Sequence, residues 1–322
     1  MTVIGIDLGG TKLAGAVFDQ DGQILARETA PIDGRAGHDV ATLLLERLQE
    51  LRQCMAASDA PTAVGVSVPG IYRAQRGTVW APNIAGWDDF PLRDVLRDAV
   101  GRDMDVVIDS DRAAYILGET WRGAARGARD AIFLAVGTGI GAGILVNGAI
   151  LRGSGDVAGA IGWLALERPY HPKWKACGCF EHQASGPGLV RVARALLDGA
   201  DGTEEGDGRD TYDGELRRVL PDNLTTAAIF SAHARGDTLA TRVVDNAVEL
   251  WGMAAANLVS LFNPETIIFG GGVFGPAAKF IDRIRDEAER WAQPIAVRQV
   301  RFVCTTLSGD AGLYGAGRLT MI

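Results

Sequence analysis

Short apolar runs alternate with longer amphipathic stretches along this chain, and the two patterns predict different elements. Apolar runs that end at glycine or polar residues are typical of buried strands, predicted at 3–7, 13–18, 24–29, 62–68, 78–80, 106–108, 131–136, 143–146, 149–151, 265–269 and 300–304. Apolar positions at helical spacing predict helices at 38–57, 90–100, 111–122, 185–197, 222–235, 238–262, 275–291 and 310–320. This alternation predicts an α/β fold.

The order strand, glycine-rich turn, strand, turn, strand occurs twice, and the two copies begin about 130 residues apart. An internal duplication of this kind predicts two similar α/β domains, each with a glycine-rich loop, and a cleft between them. We expect the first domain to comprise 1–120, completed by a C-terminal helix at 308–322, and the second to comprise 121–307.

The composition is typical of a globular protein and argues against nucleic acid and membranes as partners. The chain has 322 residues, of which 47% are hydrophobic and 22% charged, as in ordinary globular proteins. A net charge of −8 disfavours nucleic acid as a partner. No apolar run approaches the ~20 residues of a membrane span, and no signal peptide opens the chain, so we expect neither a membrane partner nor export. Only Cys177 and Cys179 cluster among the cysteines, which favours a reducing cytoplasm.

The first glycine-rich turn combines groups that suit phosphate and a metal ion. Gly9 and Gly10 permit positive φ and bring backbone N–H groups close to a ligand. The Thr11 hydroxyl and the Lys12 ammonium suit phosphate oxygens, and the Asp7 carboxylate at the strand end suits hydrated Mg²⁺. An ordinary β-hairpin turn also uses paired glycines, and the turn alone does not separate the two interpretations.

Two further glycine clusters follow apolar strands. The first comprises Gly137, Thr138, Gly139 and Gly141. No Gly-Lys-Ser/Thr ends this cluster, so it is not a P-loop, and a strand rather than a helix follows it, so it is not a dinucleotide fingerprint. The second, Gly271 and Gly272, precedes a helix, where a nucleotide can approach the backbone. The alternatives are a glycine-rich hairpin and a tight strand-to-helix turn.

Asp111 is the candidate for a general base. It follows a buried strand and opens a helix in apolar surroundings, where a carboxylate can accept a proton from an attacking hydroxyl. The alternative is an aspartate that only caps the helix. Asp109 competes for the catalytic role, although it is nearer the strand interior and suits a structural partner.

The chain resembles the ROK family (repressor, open reading frame, kinase) within the actin/hexokinase/Hsp70-like ATPase superfamily. The motifs that carry the resemblance are DLGGTK (7–12), SVPG (67–70), APNIAGW (81–87), DSDRAAYILGE (109–119), VGTGIGAG (136–143), GCFEHQASG (178–186), NPETIIFGGGV (263–273) and GDAGLYGA (309–316). They span nearly the whole chain in family order.

The resemblance implies two actin-like (ribonuclease H-like) domains and an ATP-dependent kinase that phosphorylates a sugar hydroxyl, usually the 6-position of a hexose or amino sugar. It implies Asp111 as the base, Asp7 holding Mg²⁺ through water, and ATP contacts from the three glycine clusters. The residues expected to face the sugar are Gly70, Asn83, Ser110, Asp111, Trp163 and Glu181. A homodimer is expected by resemblance alone. Family repressors carry a helix-turn-helix domain ahead of the first loop, and we expect none here.

The sugar and zinc motifs of the family are degenerate in this chain. Ser110 stands where the family usually has Asn, and Ala160 and Trp163 replace a glutamate and a histidine of the family. Trp163 could stack on a sugar ring or only fill the histidine's volume. Pro172 and Trp174 occupy positions of zinc cysteines, so we expect apolar packing and no structural zinc. An alternative metal site would use His171, Cys177, Cys179 and His182.

The leading hypothesis is therefore an ATP-dependent sugar kinase whose sugar remains open. The second hypothesis is a sugar- or nucleotide-binding protein with weak or no kinase activity. Retention of Asp7, Lys12, Thr138 and Asp111 argues against it. A third, an ATPase of the actin or Hsp70 kind, is disfavoured by the sugar-side residues implied by the resemblance.

Overall fold

The computed structural model describes residues 2–199, 212–219 and 223–322. Its strands are β1 (Val3–Leu8), β2 (Lys12–Phe18), β3 (Ile24–Pro31), β4 (Ala63–Val68), β5 (Ile71–Arg73), β6 (Thr78–Trp80), β7 (Asp105–Ser110), β8 (Ala131–Val136), β9 (Ile140–Val146), β10 (Ala149–Ile150), β11 (Thr266–Gly270) and β12 (Arg301–Cys304). Its α-helices are α1 (Gly37–Gln53), α2 (Leu92–Val100), α3 (Asp111–Arg122), α4 (Cys179–Ala184), α5 (Gly186–Leu197), α6 (Glu215–Arg218), α7 (Thr226–Ala234), α8 (Thr238–Phe262), α9 (Ile281–Trp291), α10 (Pro294–Val297) and α11 (Ala311–Leu319).

These elements form two five-stranded sheets, a two-stranded sheet of β5 and β6, and helices, so the predicted α/β fold is confirmed. The first sheet has the order β3-β2-β1-β4-β7, and the second has the order β10-β9-β8-β11-β12. In the first sheet, β1 and β2 pair antiparallel, whereas β1, β4 and β7 run parallel. Parallel strands present their carboxyl ends at one edge of a sheet, which is where ligands bind in open α/β folds.

The helices α3 and α11 pack closely in the first unit. A Cβ atom on Gly315 of α11 would lie 1.7 Å from the carbonyl oxygen of Ala114, so only glycine permits this approach. Buried Glu119 accepts hydrogen bonds from the backbone N–H of Ala124 at 2.7 Å and from the hydroxyl of Thr305. These contacts fix the helix that begins at Asp111.

The second unit is built around α8, the longest helix in the described ranges. Its apolar face is buried, and Trp251 donates a hydrogen bond of 3.1 Å from Nε1 to the carbonyl oxygen of Ala184 at the end of α4. Phe274 packs against Trp251 with 5.0 Å between the ring centroids. The bond and the ring contact hold α4 and the segment that follows β11 in place.

By contacts, the first unit comprises 1–133, 143–159 and 305–322, and the second comprises 134–142 and 160–304. The predicted division differs from these units in 121–133, 143–159 and 305–307, all of which group with the first unit. The reason is packing on α3: the Phe133 ring lies 5.2 Å from the Tyr115 ring, and Gly143 lies against the carbonyl group of Arg112.

Several element boundaries differ from the prediction for local reasons. Phe90 pairs with Val79 in an isolated bridge, so α2 begins after Pro91 rather than at residue 90. The stretch 272–280 forms 3-10 turns, so α9 covers only the second half of the predicted helix at 275–291. The short elements β5, α4, α6 and α10 were not predicted. The glycine- and acid-rich stretch 198–213, predicted to be a surface loop, lies largely outside the described residues.

Within the described ranges, no helix has both the length and the apolar composition that crossing a membrane requires.

Candidate active site

The first glycine-rich loop is the three-residue connection between β1 and β2. The N–H of Gly9 donates to the carbonyl oxygen of Lys12 at 2.9 Å, while Gly10, Thr11 and Lys12 are exposed. Gly9 and Gly10 both lie in the described part of the chain, and neither has the positive φ that the sequence permitted. Gly10 lies close to Asn83, since a Cβ atom on Gly10 would be in tight contact with Cβ of Asn83 at 3.3 Å. The loop therefore lies directly against a residue predicted to face the sugar.

Asp7 lies in a row of polar residues at the carboxyl edge of the first sheet. The parallel register pairs Asp7 of β1 with Ser67 of β4, and Ser67 with Asp109 of β7. The Ser67 hydroxyl donates a hydrogen bond of 2.7 Å to Oδ1 of Asp7. Burial raises the pKa of Asp7, the Ser67 hydrogen bond and the Lys12 charge lower it, and the charge of Asp310 raises it.

The surroundings of Asp7 fit a divalent cation. Its half-buried carboxyl has a pKa raised mainly by burial, so a cation would stabilise the charged form. The carboxylate of Asp310, which acts on Asp7 more weakly, is itself paired with Arg27 at 2.8 and 2.7 Å. Magnesium commonly binds through one or two carboxylates together with substrate phosphates. Gly312 at the start of α11 leaves room for this carboxyl, since a Cβ atom on it would lie 2.6 Å from Oδ1 and Oδ2.

Asp111 is the first residue of α3, and its neighbour Ser110 caps the helix. The Ser110 side chain accepts from the N–H of Ala113 at 3.4 Å, so the alternative in which Asp111 is itself the N-cap is wrong. The Asp111 carboxyl accepts from the N–H of Arg112 at 2.8 Å. Burial raises the pKa of Asp111 to about 7, with a smaller raising contribution from Asp7 and opposing contributions from the charge and N–H of Arg112.

Asp109 has a different environment although it lies only two residues before Asp111. Its buried carboxyl accepts from Nε and Nη2 of Arg152 at 3.0 and 2.6 Å through Oδ2, and from the N–H of Ser110 at 2.8 Å through Oδ1. A carboxylate engaged with a guanidinium group in this way is poorly suited to take a proton from a substrate. The contacts therefore favour Asp111 over Asp109 as a base.

Gly70 and Asn83 occupy turns that are fixed by their surroundings. Gly70 has a φ of 101° and lies against the carbonyl oxygen of Trp80, where no side chain would fit. Its own carbonyl oxygen lies 3.4 Å from Nη2 of Arg112. The turn at Asn83 is closed by buried Trp87, whose Nε1 donates to the carbonyl oxygen of Gly37 at 2.9 Å.

In the second unit, the loop after β8 has the same form as the first loop. Three residues, 137–139, connect β8 to β9, and Thr138 and Gly139 are exposed. Glu181 of α4 supports this loop, because its Oε2 accepts from the N–H of Ile140 at 2.7 Å. A Cβ atom on Gly139 would lie 2.9 Å from the same Oε2. Burial raises the pKa of Glu181, and the Ile140 N–H and the charge of Arg191 lower it.

The remaining glycines of the second unit lie near the same loop. The carbonyl oxygen of Gly137 accepts from the N–H of Gly186 at 2.9 Å. Gly271 has a φ of 89° and packs against the backbone of Val136, which ends β8. A Cβ atom on Gly137 would lie 3.9 Å from the N–H nitrogen of Gly272. The structure thus brings the second and third glycine clusters together, and Gly141 continues the chain in β9.

The two tryptophans of the degenerate motif have opposite environments. Trp163 is 57% exposed, whereas Trp174 is 5% exposed. An exposed indole does not fill a buried volume, so of the two interpretations of Trp163, volume filling is disfavoured. His171 Nδ1 accepts from the N–H of Lys173 at 3.1 Å. Among the described residues, no three or more His, Cys, Asp or Glu side chains form a group that could hold a metal ion.

Sequence reasoning missed the roles of Ser67 and Arg152. The signal for Ser67 was available, since a hydroxyl at the end of a buried strand next to an aspartate-bearing strand falls in register with that aspartate. Arg152 is 43 residues from its partner Asp109, in an exposed segment without periodicity. No local pattern pointed to it.

The fold and the glycine-rich loops define a class of protein: α/β proteins of the actin-like ATPase fold. The ROK family model matches residues 3–321. Glucokinase of Halalkalibacterium halodurans is 32% identical over 323 residues, covering 98% of this chain and 94% of the relative. N-acetylmannosamine kinase of Citrobacter koseri is 28% identical, covering 99% of this chain and 98% of the relative.

Solved structures agree with the family model. The ROK hexokinase of Thermus thermophilus has a TM-score of 0.79 at 30% identity, covering 99% of this chain and 97% of that one. A ROK glucokinase of Streptomyces griseus, in complex with glucose and AMPPNP, has a TM-score of 0.73 at 30% identity and covers 99% of both chains. This chain belongs to the ROK family and groups with its sugar kinases.

Proposed function

We propose that the protein transfers the γ-phosphoryl group of ATP to the 6-hydroxyl of a hexose or amino sugar, in the cytoplasm, with Asp111 as the general base. The observation that carries the proposal is the environment of Asp111. Its carboxyl lies on the first residue of α3, takes no part in the Arg152–Asp109 ion pair, and has a pKa raised to about 7. A base with a pKa near the working pH can both lose its own proton and accept one from a substrate.

In this reaction the protein forms no covalent bond to either substrate and supplies one proton acceptor. The Asp111 carboxylate takes the proton of the sugar hydroxyl while the oxygen attacks the γ-phosphorus, and the bond from that phosphorus to the ADP oxygen breaks. Phosphoryl transfer is accelerated mainly by positioning and by stabilising charge. A positioned base contributes roughly 10²- to 10⁴-fold to the rate.

The nucleotide is assigned to the glycine-rich loops. In the first unit these are Gly9, Gly10, Thr11 and Lys12, and in the second they are Gly137, Thr138, Gly139, Gly141, Gly271 and Gly272. Exposed N–H groups, hydroxyls and the Lys12 ammonium suit phosphate oxygens. Asp7 would hold Mg²⁺ through water, and a bound Mg²⁺ would neutralise charge on the phosphates. ATP use is supported by the AMPPNP complex of the Streptomyces griseus relative.

The sugar is assigned to Gly70, Asn83, Ser110, Asp111, Trp163 and Glu181. Support comes from relatives named as glucokinase and N-acetylmannosamine kinase, which act on a hexose and an amino sugar. Ser110 already accepts a hydrogen bond from the N–H of Ala113, so its hydroxyl can donate to a sugar oxygen without losing the cap. The exposed face of Trp163 suits the apolar face of a sugar ring.

A second candidate function is a sugar- or nucleotide-binding protein with weak or no kinase activity. The observation that favours it is Ala160 and exposed Trp163 at positions where the family resemblance implies a glutamate and a histidine on the sugar. A panel of aldoses, ketoses and amino sugars, assayed for ADP release with Mg-ATP, separates the two. Sugar-dependent turnover supports the kinase, and sugar binding without turnover across the panel supports the alternative.

We further infer a homodimer, as the family resemblance implied. Leu261, Trp291 and Ile295, at the ends of α8 and α9 and in α10, are large apolar side chains exposed in the single chain. Light scattering after size-exclusion chromatography measures the mass directly. A mass equal to one chain at micromolar concentration would contradict the dimer.

A further inference from the structure

Two arginines connect the base-bearing turn to the segment 151–159, which follows β10 in the first unit. Arg152 reaches from that segment to Asp109, and Arg112 reaches in the opposite direction. Nη1 of Arg112 lies 3.5 and 3.3 Å from the carbonyl oxygens of Val157 and Ala158. Arg152 therefore pairs with the residue two positions before Asp111, and Arg112 is the residue directly after Asp111.

The Arg152–Asp109 pair is the stronger of the two contacts. Two nitrogens of Arg152 converge on Oδ2 of Asp109 at 3.0 and 2.6 Å, and the aspartate side chain is 9% exposed while the arginine side chain is 43% exposed. Removing the guanidinium group would leave a buried carboxylate whose remaining hydrogen bond within the described ranges comes from the N–H of Ser110. An uncompensated buried charge of this kind acts strongly on neighbouring groups.

Asp111 lies only two residues after Asp109, so an unpaired charge on Asp109 would act on the Asp111 carboxyl. The charges that act on the Asp111 carboxyl are those of Arg112 on its own helix and of Asp7 on β1. Tyr115 lies one turn further along the helix, and Asp109 lies two residues before Asp111 near the end of β7. Asp111 and Asp7 both raise the pKa of Tyr115, so the phenol stays protonated and adds no charge. Asp7 and Asp109 are the two other carboxyl groups of this set, and the second of them is paired with Arg152.

We propose that Arg152 is a positioning residue for the reaction: by pairing with Asp109, it keeps a second negative charge from acting on the base and holds the segment 151–159 beside α3. The proposal rests on the assignment of Asp111 as the base. It gives Asp109 a defined role as the partner of Arg152. It also explains why Asp109 and Asp111, two residues apart, have different roles: Asp109 forms an ion pair with Arg152, and Asp111 accepts the proton.

The test is the pH dependence of kcat/KM for the best sugar, measured on purified full-length variants. Arg152→Met is expected to move the acid limb upward by about half to one pH unit, because an unpaired carboxylate disfavours ionisation of Asp111. At pH 6 this lowers kcat/KM by roughly threefold to tenfold. The double variant Asp109→Asn/Arg152→Met removes both charges and is expected to return the limb to its original position.

Two further variants keep the test informative. Arg152→Lys retains the positive charge, so the acid limb of its pH profile is expected at the original pH even if kcat/KM falls at every pH. Arg283→Met breaks an exposed ion pair with Asp245 in the second unit and controls for the loss of a surface arginine. An unchanged limb in Arg152→Met, with normal folding by circular dichroism, overturns the proposal.

The outcome distinguishes this proposal from the proposed function. If the wild-type protein turns over sugar and Asp111→Asn does not, the base assignment stands whatever Arg152 does. If Asp111→Asn retains its rate, the base assignment fails, and any shift in Arg152→Met then reports on another group.

Discussion

Oε2 of Glu181 accepts a hydrogen bond of 2.7 Å from the backbone N–H of Ile140, the first residue of β9 and the one that follows the second glycine-rich loop. The resemblance assigns Glu181 to the sugar, and this bond connects the same carboxyl to a loop assigned to ATP. We therefore expect Glu181 to affect both substrates.

Glu181→Ala should raise the KM for ATP by roughly tenfold or more, because a hydrogen bond to a charged group contributes ~1.5–3 kcal/mol. Glu181→Gln keeps an oxygen for the Ile140 N–H and should change the KM for ATP less than threefold, while the KM for the sugar rises. Steady-state kinetics with each substrate varied in turn measure both constants. An unchanged KM for ATP in Glu181→Ala would show that the hydrogen bond does not support the loop.

Gly312 provides a second test, directed at Asp7. A Cβ atom on Gly312 would crowd the Asp7 carboxyl at 2.6 Å, whereas Gly309 has nothing within 4 Å of its ideal Cβ position. Gly312→Ala should therefore raise the Mg²⁺ concentration needed for half-maximal activity by several-fold, and Gly309→Ala should leave it unchanged. A magnesium titration at saturating ATP measures this. If both variants need the same Mg²⁺ concentration for half-maximal activity, the space at Gly312 does not affect the use of Mg²⁺.

The two tryptophans predict opposite results on binding and stability. Trp163→Ala should raise the KM for the sugar with little change in the free energy of unfolding, since the indole is 57% exposed. Trp174→Ala should lower that free energy by ~3–5 kcal/mol, because truncating a buried large side chain leaves a cavity. Sugar kinetics and urea unfolding measured on both variants decide this. A large loss of stability in Trp163→Ala would mean that the residue is structural.

The raised pKa of Asp111 predicts a stability difference with a defined pH dependence. Because the folded pKa of about 7 lies above the ordinary value of 3.8, ionisation costs folding free energy that grows from pH 4 to 7 and is constant above. Asp111→Asn should therefore raise the Tm of the ligand-free protein above pH 7 and leave it nearly unchanged at pH 4. Thermal melts across this range test the sign. A lower Tm for Asp111→Asn at pH 8 would contradict the raised pKa.

Much of the fold was predictable because its information is local. Apolar strands that end in glycine located both three-residue loops, and the polar residues at strand ends located Asp7 and Asp111. The helix α4 was missed because its six residues are too short for a periodic apolar pattern. The capping role of Ser110 was missed because Asp111 could fill it equally well by sequence.

The rest of the candidate site depends on distant pairings. The Ser67 hydroxyl reaches Asp7 only because β1 and β4 pair in parallel register, across 60 residues of sequence. Similarly, the support of the second loop by Glu181 depends on α4 lying against residues 41 positions earlier. Such contacts are set by the packing of whole elements, so no stretch of sequence carries them by itself.

The most direct test of the account compares Asp111→Asn with Asp109→Asn in ADP release at pH 7.5, with Mg-ATP and the best sugar of the panel. Loss of the base should lower kcat by at least about 10²-fold in Asp111→Asn, with the affinity for an ATP analogue retained. Asp109→Asn should lower kcat by less than about tenfold, because the Asp109 carboxyl is engaged with Arg152 and is not the base. Wild-type turnover in Asp111→Asn would contradict the central claim that Asp111 is the base of a sugar kinase.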